Sequence, residues 1–313
     1  MDTTMPIRQI GSLDVSLVGL GCNNFGGRLD EARSAEVIVA ARDVGINFFD
    51  TADVYGGTLS EEYLGRAIGK RRPEVVIATK FGSSIDDQRK GAAPAYVKAA
   101  LEDSLRRLGT DYVDLYQLHR PDQATPIADT LGALADLVKE GKVREIGCSN
   151  FSGPQLREAE EAAATGAPRF VSVQNEYSLL HREPELEVLP ECVALDIAFV
   201  PYFPLASGFL SGKYRRGEPA PTGTRLAGAS AERQREIFSD NKFDVIEALG
   251  RYAADHGHSL LELAIAWLAA KPAVASVIAG ATKPEQVRAN VKGADWVLSA
   301  EEVREVDAIA PPA

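Results

Sequence analysis

Val75-Val76-Ile77-Ala78-Thr79-Lys80, an amphipathic segment over residues 95–108, and Tyr112-Val113-Asp114-Leu115-Tyr116-Gln117-Leu118-His119 follow one another in the chain and together define its architecture. Short apolar runs rich in β-branched residues read as buried strands, and the 3.6-residue apolar period between them reads as a helix packed on the sheet. Gly109 stands just past that segment, where a helix stop is expected. Two strands joined through a helix run parallel, because the crossover returns the chain to the same end of the sheet.

The same alternation continues in both directions along the chain. Further strands are expected over residues 17–21, 48–50, 143–148, 170–176, 198–202 and 276–278. Helices are expected over 31–44, 61–69, 127–140, 154–164, 184–195, 242–256 followed by 260–270, and 284–291, with Gly45 and Gly141 repeating the stop signal. About eight such units fit an α/β fold of the (β/α)8 TIM-barrel type better than an open doubly wound sheet. No linker rich in Pro, Gly and Ser divides the chain, so residues 1–313 are expected to form a single barrel domain. Ile7 to Ser16 alternates around Gly11-Ser12 and reads as a β-hairpin covering the barrel bottom. Residues 204–240 form an irregular stretch far longer than the usual loop of about 4–6 residues.

The composition, 45% apolar and 25% charged, supports a sizeable core and excludes a disordered chain. A net charge of −11 with no basic run argues against nucleic-acid and anionic-membrane partners. The most apolar stretch, residues 260–270, is interrupted by Glu262 and too short to span a bilayer; with no signal-like start, a cytoplasmic protein is expected. Cys22, Cys148 and Cys192 are too scattered for a disulfide framework or paired metal ligands and read as buried thiols. His256-Gly257-His258 has no carboxylate or cysteine cluster beside it and reads as a polar surface turn; no metal is expected.

In a barrel, reactive groups sit at the C-terminal ends of the strands. Asp50, Lys80 and His119 each close a strand there, and Tyr55 lies in the loop after the first of them. Neighbouring strands about 4.8 Å apart let these side chains converge. An ammonium about 4 Å from a phenol favours phenolate by roughly 4 kcal/mol at an effective dielectric of 20, before desolvation subtracts from it. Lys80 is therefore expected to tune Tyr55, Asp50 to keep Lys80 charged, and His119 to hydrogen-bond a developing oxyanion or relay a proton. Those four groups suit the interconversion of carbonyl and alcohol. Phe25, Tyr55, Arg120 and Phe151 are the candidates to line the substrate pocket. Lys213, Arg215, Arg216 and Arg225 cluster in the long loop against only Glu218, which suits a phosphate-bearing ligand.

With these motifs in hand, the chain resembles the aldo-keto reductases. Phe48-Phe49-Asp50-Thr51-Ala52-Asp53-Val54-Tyr55-Gly56 is similar to their acid-and-tyrosine signature, Ala78-Thr79-Lys80 to the lysine strand, and Asp114 to His119 to the histidine strand. Ile146 to Phe151 and Val173 to Tyr177 extend the resemblance essentially end to end. It implies Tyr55 as proton donor and NADPH as cofactor, with NAD as the alternative, and a small-molecule carbonyl as substrate. It further implies that Ser149, Asn150 and Gln174 hold the nicotinamide carboxamide and that Tyr202 stacks on the ring. Pro204, Leu205, Ser207 and Lys213 would belong to a loop over the diphosphate, with Arg225 near the adenosine end. Gly280, Thr282, Gln286 and Asn290 would meet the adenosine phosphate, at the opening of a helix where exposed amides favour an anion.

Two other readings compete. The branch resembled includes potassium-channel β-subunits, so a cofactor-binding regulatory module with little turnover is the first alternative. Gly19-Leu20-Gly21 suggests an open-sheet dehydrogenase, but the third-glycine spacing is missing.

Overall fold

The computed structural model describes residues 5–163, 167–224, 226–227 and 240–312. After the hairpin strands β1 (Ile7–Ile10) and β2 (Leu13–Ser16), eight strands carry the barrel: β3 (Val18–Gly21), β4 (Phe48–Asp50), β5 (Val76–Phe81), β6 (Val113–Leu118), β7 (Val143–Ser149), β8 (Phe170–Glu176), β9 (Ala198–Tyr202) and β10 (Val277–Gly280). They pair in parallel in the order β10-β3-β4-β5-β6-β7-β8-β9. The ring closes through the backbone of Phe199, which bonds Ala273 and Ala275 at 2.7 and 2.9 Å. A closed barrel removes the open-sheet alternative. Gly19 instead makes room for a neighbour, since a Cβ there would lie 2.9 Å from the Phe48 ring.

Helices α1 (Glu31–Asp43), α2 (Leu59–Ile68), α3 (Pro94–Leu108), α4 (Ile127–Lys139), α5 (Gly153–Ala162), α6 (Val188–Ala194), α7 (Asp240–Asp255), α8 (Leu260–Ala269), α9 (Pro284–Lys292) and α10 (Ala300–Ile309) account for the other periodic segments. Strand alternation divides the apolar residues into two cores. Outward side chains such as Phe49, Ile77, Tyr116, Ile146 and Val173 pack under the helices. Inward Phe48, Val76, Ala78, Leu115 and Val200 fill the lower barrel together with Ile10, Leu13 and Val15 of the hairpin. The hairpin thus plugs the bottom, held by Arg8 on the carbonyls of Val274 and Ala269 and by Ser12 N–H on Glu145.

Three expectations need adjusting. Residues 184–195 are not one helix: a 3-10 turn over Glu183–Glu185 precedes α6. Helix α10 was not anticipated, although Ser299 and Glu302 form a capping box at its start. The long loop contains a short helical turn, Ala206–Ser211, and its remainder at 228–239, together with Arg225, lies outside the described residues. The cysteines are free and buried. His258 stacks on Trp296 at 4.1 Å. No helix among the described residues is long and apolar enough to cross a membrane.

Candidate active site

The mouth of the barrel is spanned by one connected set of polar contacts. Lys80, fully buried, donates from Nζ to Asp50 Oδ2 at 2.7 Å and to the Thr51 carbonyl at 2.8 Å. Its third contact is Tyr55 Oη at 3.4 Å. The His119 ring meets the Tyr55 ring edge-on with centroids 5.8 Å apart. Asp50, Tyr55, Lys80 and His119 are therefore brought together as the sequence leads one to expect.

The second group joins the same network. Gln174 reaches across the barrel to donate from Nε2 to Asp50 Oδ1 at 2.8 Å. Ser149 Oγ donates to the Gln174 carbonyl at 2.7 Å. Asn150, held at φ 61°, donates from Nδ2 to the His119 carbonyl and to Ser149 Oγ, and its Oδ1 accepts from the Tyr202 hydroxyl at 2.8 Å. Asparagine tolerates that left-handed backbone better than most residues. The Gln174 amide N–H2 being turned to Asp50, the side-chain carbonyl is the part left to meet a ligand amide.

Gln117 was not singled out from the sequence. It is fully buried, pairs in register with Lys80 and points Nε2 at Asp50 Oδ1 at 3.4 Å. The signal was there, because an uncharged amide two residues before His119 occupies an inward strand position normally filled by a hydrophobe. Two expected lining residues are corrected: Phe25 and Phe151 are buried in the core beneath the helices, the latter edge-on to Phe170, whereas Arg120 is exposed.

Electrostatics assigns protonation states. Burial, ahead of the Lys80 and Arg120 charges, pushes His119 down to about 3, so it is a neutral imidazole at physiological pH. Burial works to lower Lys80, but the Asp50 carboxylate and the Tyr55 oxygen outweigh it and the ammonium is held more firmly than usual. For Tyr55 the expected sign is reversed: desolvation exceeds the pull of Lys80, and the phenol lies above its ordinary range. Its proton stays in place until something accepts it.

Tyr55 is carried by a turn whose outer side is locked. Gly56 lies at φ 58°, and a Cβ there would sit 2.1 Å from the Phe25 carbonyl oxygen. Thr51 Oγ1 and Ser60 Oγ, 2.8 Å apart, with Ser60 bonded to the Cys22 carbonyl, close the other end. Gly56→Ala combines a disfavoured φ with a backbone clash and is expected to destabilise by at least about 2 kcal/mol, read from the urea midpoint.

The residues expected near phosphates flank this network. Buried Pro204 and half-buried Leu205 and Ser207 follow Tyr202 directly, and Phe203, Ala206, Ser207 and Gly208 all have positive φ, a concave backbone of the kind that presents N–H groups to anions. Lys213 is exposed, its Nζ 5.2 Å from the Tyr214 ring. Arg216 is exposed and already paired with Asp240, Asp244 and Glu247 around α7. At the other flank Gly280 ends β10, and Gln286 Oε1 folds back to accept from Thr282 N and Oγ1 at 2.7 and 3.1 Å. Asn290 is buried behind them in α9. His119 Nδ1, Asn24 Oδ1 and Asn175 Oδ1 are buried without a partner, so polar acceptors remain for a polar ligand at this end of the barrel.

A parallel barrel with an ammonium, a protonated phenol and a neutral imidazole gathered at its strand ends has the make-up of an oxidoreductase. The aldo/keto reductase family model matches residues 17–311. The chain belongs to that family. It is 37% identical over 306 residues to a probable aldo-keto reductase 1 of Glycine max, covering 95% of this chain and 86% of that protein. A probable voltage-gated potassium channel subunit beta of Oryza sativa subsp. japonica is 36% identical over 294 residues, covering 91% and 89%. The uncharacterized oxidoreductase YrpG of Bacillus subtilis (strain 168) is 36% identical over 314 residues, covering 96% and 93%.

Proposed function

We propose that the protein is an NADPH-dependent reductase of aldehydes or ketones in which Tyr55 is the acid. The observation that carries this is the single contact network joining Tyr55, Lys80 and Asp50 to Gln174, Ser149 and Asn150. When bound, the nicotinamide supplies hydride. The residues fit such a group: Ser149, Asn150 and the Gln174 carbonyl for its carboxamide, Tyr202 for its ring, the positive-φ segment Phe203–Gly208 with Pro204, Leu205, Ser207 and Lys213 for the diphosphate, and Gly280, Thr282, Gln286 and Asn290 for the adenosine phosphate.

In this reading His119, kept neutral, polarises the substrate carbonyl by a hydrogen bond rather than by giving up a proton. Tyr55 holds its proton at Oη and releases it to the oxygen that gains charge. Lys80 makes that release easier, because phenolate beside an ammonium is cheaper than phenolate alone, and Asp50 keeps the ammonium charged. The closed barrel below, plugged by the hairpin, excludes water from beneath the reacting oxygen.

Fluorescence titration with NADPH and NADH, followed by a panel of aldehydes and ketones, tests cofactor and substrate class together. Saturable NADPH binding tighter than NADH, with steady consumption of NADPH by at least one carbonyl, is the expected result. Binding without turnover on the whole panel would move the protein to the regulatory alternative, and failure of both cofactors to bind would end the proposal.

A further inference from the structure

We propose that Asp53 is a positioning residue whose proton decides how firmly the turn carrying Tyr55 is seated against Lys80, an inference that rests on the reading of Tyr55 as the acid. Asp53 lies two residues before Tyr55 and is 1% exposed. Its backbone N–H donates to the Lys80 carbonyl at 3.1 Å, clipping the turn to the lysine strand. Its carboxyl belongs to a buried cluster behind the site that has Lys80 in common with it. Facing it are Glu61 of α2, Arg107 and Tyr96 of α3, Tyr116 of β6 and Lys80 of β5.

Within that cluster the cation is already committed. Arg107 donates from Nε to Glu61 Oε2 at 2.6 Å, and Thr79 Oγ1 takes Glu61 Oε1 at 2.5 Å. Arg107 also holds Ser104 Oγ at 3.2 Å. Glu61 is therefore satisfied on both oxygens, while no side chain donates to either oxygen of Asp53, which has the neighbouring Val54 backbone N–H beside it. Two carboxylates beside one engaged guanidinium cannot both ionise cheaply in a buried site. Burial first, then the Glu61 charge, raise Asp53 from 3.8 to about 7 against the pull of Arg107, the Val54 backbone N–H and Lys80.

The consequence for Tyr55 is mechanical and electrostatic. A protonated Asp53 leaves the turn where it is. An ionised one adds a buried charge next to Glu61, and its relief is to move toward water, carrying the turn with it. Because Gly56 is locked against Phe25, the displacement falls on the stretch between Thr51 and Tyr55, where the 3.4 Å contact of Tyr55 with Lys80 is the longest of the three that Lys80 makes.

The sign of the linkage follows. The folded protein keeps a proton that the unfolded chain loses near 3.8, so the stabilisation is complete below about 4 and is lost as pH rises through about 7. Asp53→Asn is neutral throughout and escapes this loss. The unfolding constant of the parent relative to Asp53→Asn is expected to rise by up to about tenfold per pH unit between pH 5 and 7 and to level above that. In turnover, the parent should lose kcat along a limb centred near neutrality with KM little changed, and Asp53→Asn should lack that limb. Identical pH dependences of unfolding and of kcat in the two proteins would overturn the proposal, as would a variant slower at every pH with the limb intact. Should Asp53→Asn not fold, carbon-detected NMR of the parent decides: a buried aspartate carboxyl titrating between pH 6 and 8 supports the proposal, and its absence overturns it. Failure to reduce any carbonyl would count against the proposed activity, while the unfolding comparison would still report where the Asp53 proton sits.

Discussion

Tyr55→Phe is expected to lower kcat for aldehyde reduction by about 10²–10⁴-fold, the usual contribution of a positioned general acid. The effect should fall on kcat and kcat/KM together, because the lost interaction is one made as charge develops on the substrate oxygen. Folding should change by no more than about 1 kcal/mol, the worth of a typical hydrogen bond. Lys80 keeps its shorter bonds to Asp50 and the Thr51 carbonyl when the 3.4 Å contact is removed. NADPH affinity should stay near the parental value, since the contacts proposed for the cofactor lie on β7, β8, β9 and beyond. Stopped-flow turnover with the best aldehyde, alongside a fluorescence titration, measures both. A variant that reduces the aldehyde at the parental rate would remove Tyr55 from the role of acid. The raised pKa of the phenol bears on this directly: burial keeps the hydroxyl protonated at neutral pH, which suits a donor and not a standing base.

The barrel and the Asp50–Tyr55–Lys80–His119 convergence were legible because both follow from local pattern. Strand ends in a parallel barrel share one rim, so Asp50, Lys80 and His119 needed only their order in the chain to be placed together. What the sequence could not give was burial. The charge of Lys80 was weighed against an unknown desolvation of Tyr55, and the desolvation proved larger. For the same reason Phe25 and Phe151 looked like pocket walls and are core, and Arg216 looked like a phosphate ligand although carboxylates from around α7, some 24 to 31 residues away, hold it. Asp53 stands in its motif without a visible role, since nothing in its neighbours along the chain reveals Glu61 and Arg107 at its back. Helix α10 is a different case. Its Ser299 and Glu302 signal lies in plain view, but the helix falls after the eighth strand–helix unit and so outside the repeating pattern.

Asp50→Asn should cost both stability and turnover, and pH separates the two. The fully buried Lys80 ammonium relies on Asp50 Oδ2 at 2.7 Å, and a neutral amide leaves it with oxygen dipoles only. Removing one partner of a buried pair costs about 3–5 kcal/mol. The cost should show as a lower urea midpoint at pH 7, and an Asp50→Asn protein within about 1 kcal/mol of the parent would mean that the pair is solvated and the site misread. In the parent, the folded-state pKa of Lys80 is raised, so its contribution is present at neutral pH and lost only as pH climbs through that raised value. Without Asp50, burial dominates and the folded-state pKa falls below that of the unfolded chain. The variant should then regain stability as pH rises toward 10, where the unfolded lysine also gives up its proton. Combining Asp50→Asn with Lys80→Met removes both charges and should restore much of the midpoint, as replaced buried pairs do. Turnover should not return, because the double variant keeps Tyr55 protonated by burial and has nothing left to stabilise the phenolate that forms when its proton leaves. Recovered stability with absent activity would show that the buried pair serves the chemistry and is not needed for the fold.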